Sequence, residues 1–325
     1  EDNHPVRLRR TDTGGGMRVI VVGLGVQGRK RLAVAGADVV ATVDPVVPEA
    51  RYPSIEAVPL DRFDAAIVCA PDHPKMKLVR YLLSHRKHVL VEKPLVSEDA
   101  EPLRELMRLA RQASVACYTA YNHRFEPNLV RLKSAIEAGA IGAVYHVRGF
   151  YGNGTARDVR GSVWRDEGLG VLSDLGSHLL DLALFLFGPV DGRFELWSAQ
   201  RFENRALDHV IFGSAVSRPA FVFESTLVSW RNTFLLDVFG ARGSVHVHGL
   251  CKWGPSHFIQ RYRVLPSGKP SEEVQTLETA DPTWALEYRH FLRLCERGET
   301  NLENDQWIQG VLSGLTQALT ETVSP

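Results

Sequence analysis

The sequence is short of the residues that would force a special architecture. Cysteine occurs only as Cys69, Cys117, Cys251 and Cys295, scattered without the paired spacing of a zinc site or the density of a disulfide framework. That excludes a small disulfide-stapled fold and points to a reducing, cytoplasmic setting. An excess of one charge is lacking too. The 38 Lys plus Arg balance 38 Asp plus Glu, so no general attraction to nucleic acid or to an anionic membrane surface is expected. No apolar run reaches about 18 residues, so no membrane span is expected. Residues 179–187 come nearest, and Asp181 interrupts them. Internal repeats and low-complexity tracts are absent.

What is present is the ordinary material of a soluble chain, 44% apolar over 325 residues, long enough for two cores. Residues 1–16 carry Arg7, Arg9 and Arg10 and then three glycines, without the apolar centre of a signal peptide; an upstream leader or disordered tail is expected. From Met17 apolar strand-like runs alternate with helical ones. Strands are predicted at 18–22, 38–43, 65–70, 88–91 and 115–121. Helices are predicted up to about residue 35, at 75–84, and at 98–112 with Ser97 as N-cap. This rhythm implies parallel strands joined by right-handed crossovers, a doubly wound α/β domain at 17–122.

The rhythm then changes. A helix at 127–138 precedes a strand at 144–151, a polar loop rich in glycine and arginine at 152–168, and a helix at 171–187 ended by Gly188-Pro189. Strands follow at 193–199, 207–212, 220–229, 234–239 and 244–248, with a further candidate at 258–264. Helices at 284–297 and 305–322 close the chain. Short turns between the strands suit an open, mostly antiparallel sheet, so residues 123–325 are expected to form an α+β domain.

Gly23, Gly25 and Gly28 fit the pattern G-x-G-x-x-G. The pattern is weak alone, but here an apolar strand precedes it and a helix follows. Gly23 allows the tight turn, Gly25 lets the backbone approach a pyrophosphate, and Gly28 lets helix and strand pack closely. Val26 and Gln27 lie in the same turn, where the helix N-terminus offers unpaired N–H groups to phosphates. Asp44 ends the second strand about 20 positions later, where an acidic residue accepts bonds from ribose hydroxyls and disfavours a 2′-phosphate. Pro45 follows rather than an arginine. Together these favour NAD over NADP. Pro71, at the end of the third strand, joins the expected cofactor contacts.

The fourth strand ends in Glu92-Lys93-Pro94, at the edge where open α/β sheets bind ligands. An exposed lysine is a poor base at neutral pH, but burial beside a positively charged ring makes it an efficient one. Glu92 is expected to anchor the turn or to meet the nicotinamide side of the cofactor. Further on, Asp174, His178 and Asp181 stand at i, i+4 and i+7 of a helical pattern and share one face. Leu172, Leu175, Leu179, Leu182 and Leu186 form a largely separate apolar stripe. His178 can exchange a proton near neutrality, and Asp181 is placed to orient it. Metal ligation by this set is not expected, because other close histidines and cysteines are lacking.

These segments, with Tyr121-Asn122-His123-Arg124-Phe125, together resemble the glucose–fructose oxidoreductase, inositol dehydrogenase and rhizopine-catabolism family (Gfo/Idh/MocA), and the likeness spans about residues 17–323. It implies a Rossmann domain followed by an α+β domain with a large open sheet, and hydride transfer at a hydroxyl carbon of a sugar, nucleotide sugar or cyclitol. Lys93 would then be the catalytic acid/base. Asp174 and His178 would hold substrate hydroxyls and share in proton transfer. The resemblance also implies a homodimer or homotetramer formed through the second sheet. The chain departs from the family at Lys75, where a histidine is usual, and at Arg86, where a glycine is.

Asn122, Arg124, Tyr151, Asn153, Arg157, Arg160, Trp164 and Arg165 lie in segments expected to border the substrate. Tyr151 and Trp164 are suited to sugar ring faces, and the arginines to a diphosphate or carboxylate. Two other classes of function share these residues. One is NAD-assisted elimination or glycosidic cleavage through a keto intermediate, with Tyr121 or His123 as the extra base. The other is a non-catalytic cofactor sensor, whose best sign would be loss of the lysine or histidine.

Overall fold

The computed structural model of the protein describes residues 16–97, 99–162 and 164–321; apart from Gly16, the expected tail lies outside the described residues. Strands β1 (Val19–Val22), β2 (Val39–Val43), β3 (Ala65–Val68), β4 (His88–Glu92) and β5 (Cys117–Ala120) alternate with helices α1 (Val26–Ala35), α2 (Asp72–Ser84) and α3 (Glu101–Ala113). The strands pair in the order β2-β1-β3-β4-β5, and every pairing is parallel. Strands β1, β3 and β5 are buried along their whole length. Helices cover both faces, which is why these strands read as unbroken apolar runs.

Helix α4 (Pro127–Glu137) leads into β6 (Val144–Gly152), α5 (Ala156–Arg160), a π-turn at Leu172–Gly176 and α6 (Ser177–Phe187). Then come β7 (Glu195–Gln200), β8 (His209–Ser214), β9 (Ala220–Thr226), β10 (Thr233–Gly240), β11 (Gly243–His248), β12 (Ser256–Tyr262) and β13 (Ser271–Leu277), followed by α7 (Thr283–Arg297) and α8 (Leu302–Glu321). The second sheet runs β13-β12-β11-β10-β6-β9-β8-β7. It is antiparallel except where β6 lies parallel to β9. Its inner face carries Phe212, Phe223, Phe234 and Leu236, which meet Leu179, Leu182 and Leu186 of α6 in one core. Helix α6 is buried nearly all round, so its polar residues are buried too. The fold is α/β, a Rossmann sheet joined to a large, mostly antiparallel one.

The two sheets are not independent. Helices α2 and α3 cover one face of the first sheet through Val79, Leu82, Leu103 and Leu106. The opposite face is covered by α7, from the far end of the chain, whose Tyr288, Phe291 and Leu294 pack on Val19, Val21, Ile67 and Leu90. Phe291 is fully buried, and burying such a ring contributes about 1.5–3 kcal/mol. Helix α7 thereby closes the cleft between the sheets.

Local departures from the sequence reading have physical causes. Helix α3 begins at Glu101 rather than at residue 98, and Ser97 does not cap it. The Ser97 hydroxyl donates to the Asp99 carbonyl and the Ser97 N–H to Gln309 Oε1, while the Asp99 side chain accepts the Glu101 N–H. Helix α5 interrupts the expected loop at 152–168; its start is braced by Asn153, whose side-chain oxygen accepts both the N–H and the hydroxyl of Thr155. Strand β13 is missing from the reading because almost all of it is exposed: an edge strand held by its backbone ladder to β12 writes no buried face into the sequence. Arg86 adopts φ 56°, a left-handed conformation in which glycine avoids a steric cost. All four cysteines are free. Among the described residues no helix is long and apolar enough to cross a membrane.

Candidate active site

The carboxyl edge of the first sheet carries the dinucleotide signature, and the geometry tests it residue by residue. Gly23 has φ +91°, and a Cβ there would lie 2.7 Å from the Cys69 carbonyl oxygen. A Cβ on Gly28 would lie 1.8 Å from the Gly23 carbonyl oxygen. These two glycines are required by the fold itself. Gly25 differs: nothing lies within 4 Å of where its Cβ would be, so its lack of a side chain keeps space open for a ligand. Gly25 is also the N-cap of α1, with no side-chain cap and no acidic residue in the first turn. Val26 stands 74% exposed over this turn. Open backbone and a free helix N-terminus fit the pyrophosphate of NAD.

Asp44 fastens this turn. One carboxylate oxygen accepts the Leu24 N–H at 2.8 Å, and the other accepts those of Val46 and Val47, both at 2.9 Å. Burial opposes ionisation, but the three N–H groups prevail and hold the carboxyl below its ordinary range. A carboxylate has about four acceptor sites, so one remains for a ribose hydroxyl. Pro71 opens α2 on the same edge of the sheet.

Between this edge and the inner face of the second sheet lies a cavity of about 590 Å³. Gln27, Glu92, Lys93, Asn122, Tyr151, Asp174 and His178 line it, so seven of the sequence-predicted residues converge here. Lys93 stands at the end of β4, and its bond to Pro94 is cis. Its Nζ donates to Asp174 Oδ1 at 2.5 Å and to the Asp174 carbonyl at 3.0 Å. The π-turn places Asp174 so that both side chain and backbone reach the amine; such bulges recur at functional sites. Burial disfavours the Asp174 carboxylate, but the Lys93 ammonium outweighs it, with help from Arg165 at 3.9 Å, and its pKa falls below the usual range.

His178 is buried, and its Nδ1 has no hydrogen-bond partner. Its ring stacks on His123, centroids 4.1 Å apart, and meets Tyr121 edge-on at 5.7 Å. Burial, then the neighbouring His123, Lys93 and Lys252, push His178 well below the ordinary histidine range, so the imidazole is neutral at physiological pH. Asn122 is fixed by donating to Thr283 Oγ at 2.8 Å.

Several expected contacts are absent. Asp181 does not orient His178. Arg124 holds it instead, donating to its two oxygens at 2.7–3.0 Å, and the pair is a buried strut between the segment after β5 and α6. Arg124 therefore does not line the cavity. A helix with no solvent face demands a counter-ion for each buried carboxylate, and Arg124 supplies it. Arg157 is exposed on α5, Arg160 likewise, and Trp164 is 56% exposed; none lines the cavity. Glu92 is tied to α1. It lines the cavity and accepts Arg31 Nε at 2.6 Å, while Arg31 also pairs with Glu287 of α7 at 2.8 Å and lies 4.3 Å from the centre of the Trp284 ring.

The sequence reading missed Lys252, Trp253, Asp281 and Trp284, all of which line the cavity. Lys252 and Trp253 occupy a short turn after β11, flanked by Gly249 and Gly254. A Lys-Trp pair between glycines at a strand end is the signal that was there to find. Lys75, at a departure from the family pattern, is buried and donates to Asp72 and to the Pro94 carbonyl at 2.8 Å, bracing the segment that carries Lys93.

A glycine-turn dinucleotide sheet joined to a second sheet that presents polar residues at its ligand edge defines a nucleotide-binding α/β protein. The chain belongs to the Gfo/Idh/MocA family. Residues 17–121 match the family described as an oxidoreductase family with an NAD-binding Rossmann fold, and residues 129–246 match the Gfo/Idh/MocA C-terminal domain. Among curated relatives, inositol 2-dehydrogenase 1 of Saccharopolyspora erythraea is 36% identical over 41% of this chain and 38% of that protein. Levoglucosan dehydrogenase of Pseudarthrobacter phenanthrenivorans is 27% identical over 41% of this chain and 36% of that one. The matched segments thus span well under two thirds of these relatives. Among solved structures, levoglucosan dehydrogenase in complex with NADH superposes with a TM-score of 0.80, covering 94% of this chain and 97% of that one at 17% identity. An inositol dehydrogenase homologue from Azotobacter vinelandii complexed with NAD+ gives 0.77, covering 95% and 96% at 19% identity. At these identities the likeness is one of fold.

Proposed function

We propose that the protein is an NAD-dependent oxidoreductase that moves a hydride between nicotinamide and a hydroxyl-bearing carbon of a sugar, nucleotide sugar or cyclitol. The observation that carries this reading is the Lys93 amine, held by Asp174 in the same cavity as a neutral, buried His178. Bound NAD supplies the hydride acceptor or donor; the chain supplies position and proton handling. Gly25, Val26 and Gln27 receive the pyrophosphate, and Asp44 receives the ribose.

Lys93 exchanges the hydroxyl proton. Two of its three N–H directions are held by Asp174, which leaves one for the substrate oxygen. Asp174 keeps the amine aimed and compensates its charge. His178, being neutral, can accept or donate a hydrogen bond at the same hydroxyl without adding a second cation. Asn122 and Tyr151 border the substrate. The names of the relatives, inositol and levoglucosan dehydrogenases, support a polyol or sugar. We also infer that the outer face of the second sheet, which leaves Val222 41% and Trp197 44% exposed, forms a homodimer or homotetramer contact. The chain is read as two units, 17–122 and 123–325.

The test is to mix the protein with NAD and a panel of sugars, inositols and nucleotide sugars while following reduced nicotinamide. Net accumulation with at least one polyol supports hydride transfer. Conversion without accumulation favours elimination or cleavage through a keto intermediate. NAD binding with no conversion of any panel member overturns the enzymatic reading.

A further inference from the structure

Lys252 lines the cavity, and the proposed chemistry gives it no task. Its Nζ lies over two aromatic rings, 4.4 Å from the centre of Trp253 and 5.6 Å from that of Tyr151. Nζ donates to the Tyr151 hydroxyl at 3.2 Å and to His123 Nε2 at 3.2 Å. An ammonium has three donors, so one is left.

Two other charged residues that line the cavity are matched. Lys93 faces Asp174, and Glu92 faces Arg31. Among the described residues no carboxylate lies within ion-pair range of Lys252. Asp281 lines the same cavity at longer range, and one of its oxygens accepts the Thr283 N–H. Lys252 is half-buried, and a cation drawn out of water without a counter-ion is disfavoured. Burial accordingly draws the Lys252 amine down to about 8, against the pull of Asp281, which leaves it largely protonated at neutral pH.

We propose that Lys252 is the counter-ion for a carboxylate carried by the substrate, so that the cavity takes a sugar acid, a uronate or aldonate, in preference to the neutral sugar. The inference rests on the oxidoreductase reading above and narrows its substrate class. Lys93 would meet the reacting hydroxyl from the first sheet and Lys252 the carboxylate from the second. The apolar face of the sugar would lie against Tyr151 and Trp253. A single ammonium matches a single negative charge. A phosphate or diphosphate ordinarily draws guanidinium forks, and Arg157 and Arg160 stand outside the cavity.

The test compares D-glucuronate with D-glucose, D-galacturonate with D-galactose, and D-glucose 6-phosphate as a separate arm. Turnover with NAD is measured alongside calorimetric binding of each compound to the protein–NADH complex. The expected result is an acid preference of at least about tenfold in kcat/KM and in binding. In Lys252→Met the acid's KM and dissociation constant should rise about 10²-fold while its kcat moves far less, so that the acid-to-neutral ratio collapses towards one. Lys252→Arg should retain most of the preference, and an unchanged melting curve excludes misfolding as the cause. The proposal is overturned if the wild-type protein does not favour either acid, if it favours the phosphate ester, or if Lys252→Met lowers acid and neutral sugar alike. Lysine-dependent binding of the acids without NAD reduction would keep the carboxylate site and sink the oxidoreductase reading. Turnover of neutral sugars without acid preference would do the reverse.

Discussion

Replacing Lys93 with methionine separates chemistry from architecture. Methionine keeps a flexible stem of similar reach and deletes only the ammonium. In the folded protein that ammonium holds Asp174, whose side chain is 39% exposed and still has Arg165 at 3.9 Å. A partly exposed pair contributes about 1 kcal/mol or less, so Lys93→Met should shift the melting temperature by no more than a few degrees. The Gly23–Gly28 turn and Asp44 do not touch Lys93, so NAD affinity should stay within a few-fold. Turnover should behave differently. Loss of a positioned acid/base costs about 10²–10⁴-fold, equivalent to roughly 3–5 kcal/mol of barrier at 1.36 kcal/mol per tenfold. Three measurements on one preparation decide it: a melting curve, NAD titration by protein fluorescence, and the rate of nicotinamide reduction with the substrate found by panel. Turnover within about tenfold of wild type would remove Lys93 from the mechanism. Equal losses of turnover, stability and NAD affinity would mean that it is a structural residue.

Three further outcomes follow from the same geometry. Gly25→Ala should fold normally, since its Cβ meets open space, yet weaken NAD binding by at least about tenfold; Gly28→Ala, whose Cβ would strike the Gly23 carbonyl, should lower the melting temperature even without NAD, and identical behaviour of the two variants would refute the distinction. Glu287 is buried and pushed up to about 7 by that burial and by Glu92, against Arg31 and Tyr118, so the folded state holds its proton more tightly than the unfolded one. The contribution of Glu287 to the stability of the cofactor-free protein should therefore fall as pH rises from about 4.5 to about 7, on the order of 1–3 kcal/mol, so the stability difference between wild type and Glu287→Gln in urea titrations should change across that window; a difference independent of pH would contradict it. Arg86→Gly should stabilise the protein by about 1 kcal/mol by relieving the left-handed backbone, seen as a higher denaturation midpoint with an unchanged m-value.

How far the sequence reaches is clearest at single residues. The strands of the first sheet were legible because burial on both faces writes continuous apolar runs. Glu92-Lys93-Pro94 was legible because the carboxyl end of a parallel strand is a ligand edge in any doubly wound sheet. Asp174 and His178 were legible as polar residues on an otherwise apolar helix. The same logic failed for Asp181: polarity on a buried face shows that a partner exists, and only the fold reveals that the partner is Arg124. It failed for Arg157, on the outer side of α5, and for Trp164, in the turn beyond it, because sequence proximity to a pocket does not fix which way a side chain points. It failed for β13, which meets the sheet through its backbone ladder and exposed polar side chains and buries almost no apolar face.

The sequence by itself determined the strand–turn–helix grammar of the first sheet and the lysine, aspartate and histidine that line one cavity. These are set by local periodicity, backbone freedom at glycine and the cost of burying charge, all of which act over a few residues. Only the tertiary structure decided that α7 returns to cover the first sheet, that the turn carrying Lys252 closes over the cavity, and that Arg31 joins Glu92 to Glu287. Such contacts are selected by the joint burial of surfaces far apart along the chain, and no short window of sequence contains both sides of them.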